Sequence, residues 1–141
     1  LAESGADDVR LWAPVASALA GLSLIYCIAT IARKRFFHTE VIEGAAYDGP
    51  GSDVAVDKAV LQNTLEQTVL AAVAYNGLAA AAPWLAPVLL PALVGLFLLG
   101  RVLFIGGYRK GAGGRALGFG LTFYPTVATY VIFVAALIAR L

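Results

Sequence analysis

Three long stretches of this 141-residue chain, residues 11–32, 60–105 and 116–139, run almost without charge, and the polar residues crowd between them. A helix needs roughly 20 apolar residues to cross the ~30 Å hydrocarbon core of a bilayer. The first and third stretches are therefore one crossing each, and the second is too long for one. Its break falls at Ala82-Pro83-Trp84, where proline interrupts a helix and tryptophan marks an interface. The pattern predicts an all-α integral membrane four-helix bundle, a single domain with spans at about 11–32, 58–82, 84–106 and 116–139. Spans two and three form a tight hairpin, and Pro91 and Pro125 lie inside spans where they are expected to kink them. The turn-rich segment EGAAYDGPGSD, residues 43–53, reads as a mobile loop. Ser52 or Asp53 is a plausible cap for a second helix that begins in water, with Asp57 and Lys58 solvated.

Composition supports lipid as the main solvent: 60% of residues are hydrophobic and only 13% charged. Of all the charged residues, the three apolar stretches hold Glu66 and Arg101 alone. The segment before span one is net acidic and that span is long, unlike a cleavable signal peptide. It is expected to be retained, and the lack of any Met suggests that the natural chain starts earlier. A single Cys (Cys27) and a single His (His38) supply neither a disulfide nor a zinc-ligand spacing, so no metal is expected. A net charge of +1 offers no electrostatic support for a nucleic-acid partner. Its distribution is more informative. Arg33, Lys34, Arg35 and Lys58 lie in the first loop and Arg109, Lys110 and Arg115 in the third, against Arg10 and Arg140 near the termini. By the positive-inside rule the basic loops are cytoplasmic and both termini outside.

At 1.5 Å per residue, Glu66 and Arg101 both lie roughly 10 Å inside the cytoplasmic boundary. An unpaired charge in a span costs at least ~2.5 kcal/mol, so such residues face the bundle interior and find partners, and each is the other's evident candidate. A purely structural ion pair between helices two and three is one reading. The neighbours suggest another. Gln62, Asn63 and Glu66 form one polar stripe, Tyr108 lies two turns from Arg101, Arg115 closes the following glycine-rich loop, and Arg33, Lys34 and Arg35 end span one. So many cations around one buried carboxylate suit a small polyanion that also carries an amine. The cluster GGYRKGAGG, residues 106–114, lacks the ending of a phosphate-binding loop and reads as a tight turn, with Gly114 and Gly118 offering a small-residue packing surface. The aromatics of span four read as packing and lipid contacts.

These residues resemble a known family, the membrane-associated proteins in eicosanoid and glutathione metabolism (MAPEG), which includes microsomal glutathione transferases and a non-catalytic lipoxygenase-activating protein. Asn63-x-x-Glu66, within VLQNTLEQ, is similar to the family's helix-two signature, and Arg101-x6-Tyr108-x6-Arg115 to its helix-three and loop block. Ala32-Arg33-Lys34 matches the basic end of helix one. The resemblance implies a homotrimer, as in a bacterial member, with glutathione as co-substrate bound between subunits near the cytoplasmic face of an inner membrane. It places Glu66 at the glutathione amine, Asn63 and Gln62 at its polar backbone, Arg33 at a carboxylate from the adjacent protomer, Arg101 and Tyr108 within the site, and Arg115 on the thiolate as the catalytic residue.

The activity implied is a membrane-bound glutathione-dependent transferase or peroxidase acting on an apolar small-molecule electrophile drawn from the lipid bilayer. The rival is a non-catalytic lipid-binding or scaffold member of the same family. A small four-span transporter is a third reading, against which the charges sit near one face and the halves show no repeat. Three positions depart from the catalytic members: Ala59 where they place an Arg, Gln67 where many place a Tyr, and Phe104 where some place a Tyr.

Overall fold

The structure, a computed structural model, describes residues 2–37 and 52–141, with side chains from residue 11 onward in the first segment. His38 and most of the 43–53 loop lie outside the described residues. Helix α1 runs Ala2–Phe37, α2 Asp53–Ala81 and α3 Ala86–Gly107; a 3-10 turn, Tyr108–Lys110, leads directly into α4, Gly111–Ile138. Among the described residues there is no strand.

Each boundary has a local cause. Ser52 caps α2, its Oγ accepting the amide of Ala55 at 3.1 Å, and supplies one of the partners that a helix start lacks. Helix α2 ends at Ala81 ahead of Pro83, whose ring cannot continue it, and α3 restarts with Pro87 in its first turn, where a missing N–H costs nothing. Gly111 takes φ 83°, a left-handed conformation open to glycine, and turns the chain from the 3-10 segment into α4.

The helices outrun the apolar stretches. Helix α1 continues to Phe37 because its basic last turn sits at the negative end of the helix dipole. Helix α4 begins at Gly111, so the expected third loop contracts to three residues and Arg115 lies inside a helix. Pro14, Pro91 and Pro125 all sit within helices.

Helix α1 packs on α2 and α3 on α4, with α2 against α4 and α1 against α3 closing the bundle. Small residues make the seams: α1 buries Ala13, Ala16 and Ala20 against Ala71, Ala74 and Leu78 of α2, while Leu11, Val15, Leu22 and Ile25 stay outside. Small residues inside and large apolar ones outside invert the arrangement of a water-soluble bundle and fit close helix packing in lipid. Along α3 and α4 the approach is closer still. A Cβ at Gly118 would come 2.6 Å from the carbonyl oxygen of Gly100, and one at Gly114 would come 2.6 Å from that of Gly107. Both contacts are with backbone, so Gly114 and Gly118 do form the small-residue surface expected of them.

Among the described residues two stretches are long and apolar enough to cross a membrane, Leu11–Phe37 and the α3–α4 run Ala86–Ile138. The main apolar core, including Tyr75, Leu90 and Phe97, fills the half of the bundle nearest the 82–85 turn. The opposite half holds a smaller apolar cluster around Cys27, Val60 and Phe104 together with the polar residues of the bundle.

Candidate functional site

At that polar end one turn of α2 presents its amides and carboxylate in two directions. Gln62 Nε2 donates to Glu66 Oε1 at 2.9 Å, and both side chains lie on the outer surface of the bundle. Asn63 and Glu66 are three residues apart, about 60° around a helix of 3.6 residues per turn. That rotation carries Asn63 inward to a half-buried position.

Arg101 meets it there. Its side chain is 1% exposed, with Nη1 donating to Asn63 Oδ1 at 2.9 Å and Nη2 to Thr122 Oγ1 at 2.7 Å. The expected ion pair between Glu66 and Arg101 is not formed. Ion pairs join Lys34 to Asp57 and Arg109 to Asp53 and Asp57. Glu66 lies three residues from Asn63 on α2, but it faces out while Arg101 points into the bundle, so neutral oxygens satisfy two of the Arg101 nitrogens instead.

Aromatic rings carry the arrangement toward the end of α3. The Arg101 guanidinium lies 4.4 Å from the Phe104 ring centre, Phe104 meets Tyr108 edge-on at 5.3 Å, and the Arg115 guanidinium stands 4.6 Å over the Tyr108 ring. The spacing of Arg101, Phe104 and Tyr108 keeps them on one stripe of α3. The glycine contact between Gly107 and Gly114 brings Arg115 from α4 onto its end.

Two cavities flank Tyr108. One of about 400 Å³ is lined by Asn63, Phe104, Tyr108, Arg115 and Phe119 among others. The other, about 280 Å³, is bordered by Arg33, Lys34, Asp57, Tyr108 and Arg109, with Cys27 in its wall. Of the residues singled out from sequence, Asn63, Tyr108 and Arg115 thus share one cavity, Arg33 shares a second with Tyr108, Gln62 and Glu66 pair on the outer face, and Arg101 lies behind Asn63.

An electrostatic tie binds the ends of α1, α2 and the 3-10 turn. Asp57, expected to be solvated, is only 16% exposed and is held by Lys34 and by Arg109, the latter at 3.6 Å. Arg109 also donates to Asp53 at 2.6 Å, which holds the Asp53 carboxyl below its usual range and raises the Arg109 guanidinium in turn. Asp57, Thr122 and the ring of Phe104 have parts in the site that the sequence reading did not assign. Thr122 stands four residues from both Gly118 and Thr126, a small-and-polar stripe whose spacing marks a buried helix face, and all three are buried.

Among the described residues, no group of three or more His, Cys, Asp and Glu side chains could hold a metal. The apolar exterior and the polar cavity at one end of the bundle define an all-helical membrane protein associated with the lipid bilayer. The family model of the MAPEG family matches residues 12–138, and the chain belongs to that family. No curated protein and no solved structure matches it.

Proposed function

We propose that the protein is a four-span, homotrimeric membrane enzyme of the inner membrane of a bacterium, a glutathione-dependent transferase or peroxidase that acts on apolar electrophiles dissolved in the bilayer. The observation that carries this reading is the outward Gln62–Glu66 pair, set beside a cavity on which Asn63, Tyr108 and Arg115 converge. A carboxylate facing hydrocarbon costs at least ~2.5 kcal/mol. A second copy laid over this face removes that cost and turns the pair into the wall of a shared site.

In that site Glu66 accepts from the glutathione amine, Gln62 and Asn63 hold the peptide groups, and Arg33 of the partner subunit takes a carboxylate. Arg115 serves the sulfur. A thiol with pKa ~8.5 is mostly protonated at neutral pH, and a guanidinium beside it favours the reactive anion by ~1.4 kcal/mol for each unit of lowering. The apolar substrate then approaches from lipid rather than water, and a bound, oriented thiolate replaces a dilute one. By the positive-inside rule, Lys34, Arg109 and the neighbouring cations support a cytoplasmic position for this end of the bundle.

Two measurements on detergent-purified protein test the proposal. Calorimetry should detect glutathione binding, and Arg115→Leu should largely keep that binding while lowering the conjugation rate and moving the pH dependence of turnover upward. Lys at this position should restore part of the rate, since it supplies charge without the planar fork. Glutathione binding with neither thiolate absorbance nor turnover would make the protein a non-catalytic lipid-binding member instead.

A further inference from the structure

Arg101 is the most deeply buried charge in the described bundle and has no carboxylate beside it. Its direction is set from three sides. Thr122 Oγ1 receives Nη2 at 2.7 Å, the Phe104 ring stands 4.4 Å from the guanidinium, and Asn63 Oδ1 receives Nη1 at 2.9 Å. Thr122 is itself anchored, its hydroxyl donating to the Phe119 carbonyl at 2.9 Å. A guanidinium only donates, so whatever stands at its Nη1 must accept. The Asn63 amide can satisfy it in one orientation alone, because a flipped amide sets N–H against N–H. Its oxygen turns to Arg101 and its NH2 group is left for the 400 Å³ cavity that Asn63 lines and Arg101 does not.

We infer that Arg101 is a positioning residue that acts through Asn63: by occupying the amide oxygen it makes Asn63 an obligate donor, which selects a carbonyl or carboxylate oxygen of the ligand at that point of the cavity. The inference rests on the proposed glutathione site and gives one of its walls a polarity. It also moves Arg101 from the ligand shell to the layer behind it.

The substitution Asn63→Asp separates this role from a merely structural one. An aspartate keeps the shape, gives Arg101 the counter-charge it lacks, and presents an acceptor to the cavity where a donor stood. Thermal stability and ligand affinity should therefore move in opposite directions: a higher unfolding midpoint in detergent, and glutathione affinity by calorimetry lower by about tenfold or more, since a charged hydrogen bond is replaced by repulsion. Arg101→Met frees the amide to rotate and should weaken glutathione binding in protein that still runs as the wild-type oligomer. Unchanged affinity in Asn63→Asp, or in folded Arg101→Met, overturns the inference. If Arg101→Met does not fold, Asn63→Asp carries the test alone. If the wild type binds no glutathione, the proposed function fails, and the midpoint of Asn63→Asp still decides this contact: a rise upholds the Arg101–Asn63 pairing and its absence overturns it.

Discussion

Replacing Gly114 by alanine should damage the protein, while the same change one residue earlier should stabilise it. A Cβ at Gly114 would lie 2.6 Å from the Gly107 carbonyl oxygen and 2.6 Å from Lys110 Cβ, whereas one at Gly113 meets nothing within 4 Å. Contact distances between such atoms start near ~3.4 Å, so the end of α3 and the start of α4 must part by about 0.8 Å. Neither clashing atom can swing aside, since one is backbone and the other the root of a side chain. Overpacking of this kind costs ~1–3 kcal/mol. Both positions lie in α4 and both gain the ~1 kcal/mol by which alanine exceeds glycine in a helix. That gain cancels between the variants, and Gly113→Ala should be the more stable by ~1–3 kcal/mol. The next residue is Arg115, whose guanidinium stands 4.6 Å over Tyr108, so parting the helices should also lower any conjugation rate in Gly114→Ala. Thermal unfolding of the two variants in one detergent, with glutathione turnover measured beside it, provides the assay. Equal midpoints would show that the glycine contact does not set the α3–α4 distance.

Other perturbations probe the remaining polar contacts. Glu66→Gln and Arg101→Leu should be close to additive in a double-mutant cycle within the monomer fold, because no contact joins the two residues; coupling above ~1 kcal/mol would place Glu66 against Arg101 across a subunit boundary. A cysteine at Lys110, in the exposed 3-10 turn, should escape membrane-impermeant thiol reagents in intact cells, and ready labelling would invert the orientation. The Asp53–Arg109 tie should be fully present above the ordinary aspartate pKa of ~3.9 and be lost as pH falls through the lowered value of the folded protein. Amide protection at the start of α2 should fall in that acid range, and Asp53→Asn should reduce that fall while the Asp57 contacts with Lys34 and Arg109 remain.

Much of the fold could be read from the order of apolar and polar residues. The interruption at residues 82–85 follows from Pro83, and the start of α2 from Ser52, since both act through backbone geometry that a single residue decides. The helix ends at residues 33–37 and 111–115 were harder to read. There the chain looks polar or glycine-rich, yet the backbone still gains by completing its hydrogen bonds, and the dipole welcomes Lys34 and Arg35. The site shows the same division between what is local and what is not. Distance along a helix bears on how deep Glu66 and Arg101 lie, but pairing also depends on azimuth. Asn63 and Glu66 differ by about 60° around α2, and the packing of α1, α3 and α4 against it determines which of them faces inward. Thr122 was invisible as a partner for a similar reason, because nothing near it in sequence announces an arginine from another helix.

The uneven hydropathy of the helices bears on how such a chain enters a membrane. The stretches apolar enough to cross unaided are Leu11–Phe37 and Ala86–Ile138, and α2, with Gln62, Asn63, Glu66 and Gln67, lies between them. Those side chains make α2 the worst candidate for partitioning alone, since polar groups raise the cost of transfer into lipid one by one. The turn at 82–85 supplies a remedy in time rather than in energy. A helix tethered so closely to α3 can be delivered with it as a hairpin, its amides meeting protein before they meet hydrocarbon. On that view the shortness of the turn guards the insertion of the residues that make the site, and lengthening it should lower the yield of membrane-integrated protein before it alters anything the mature bundle does.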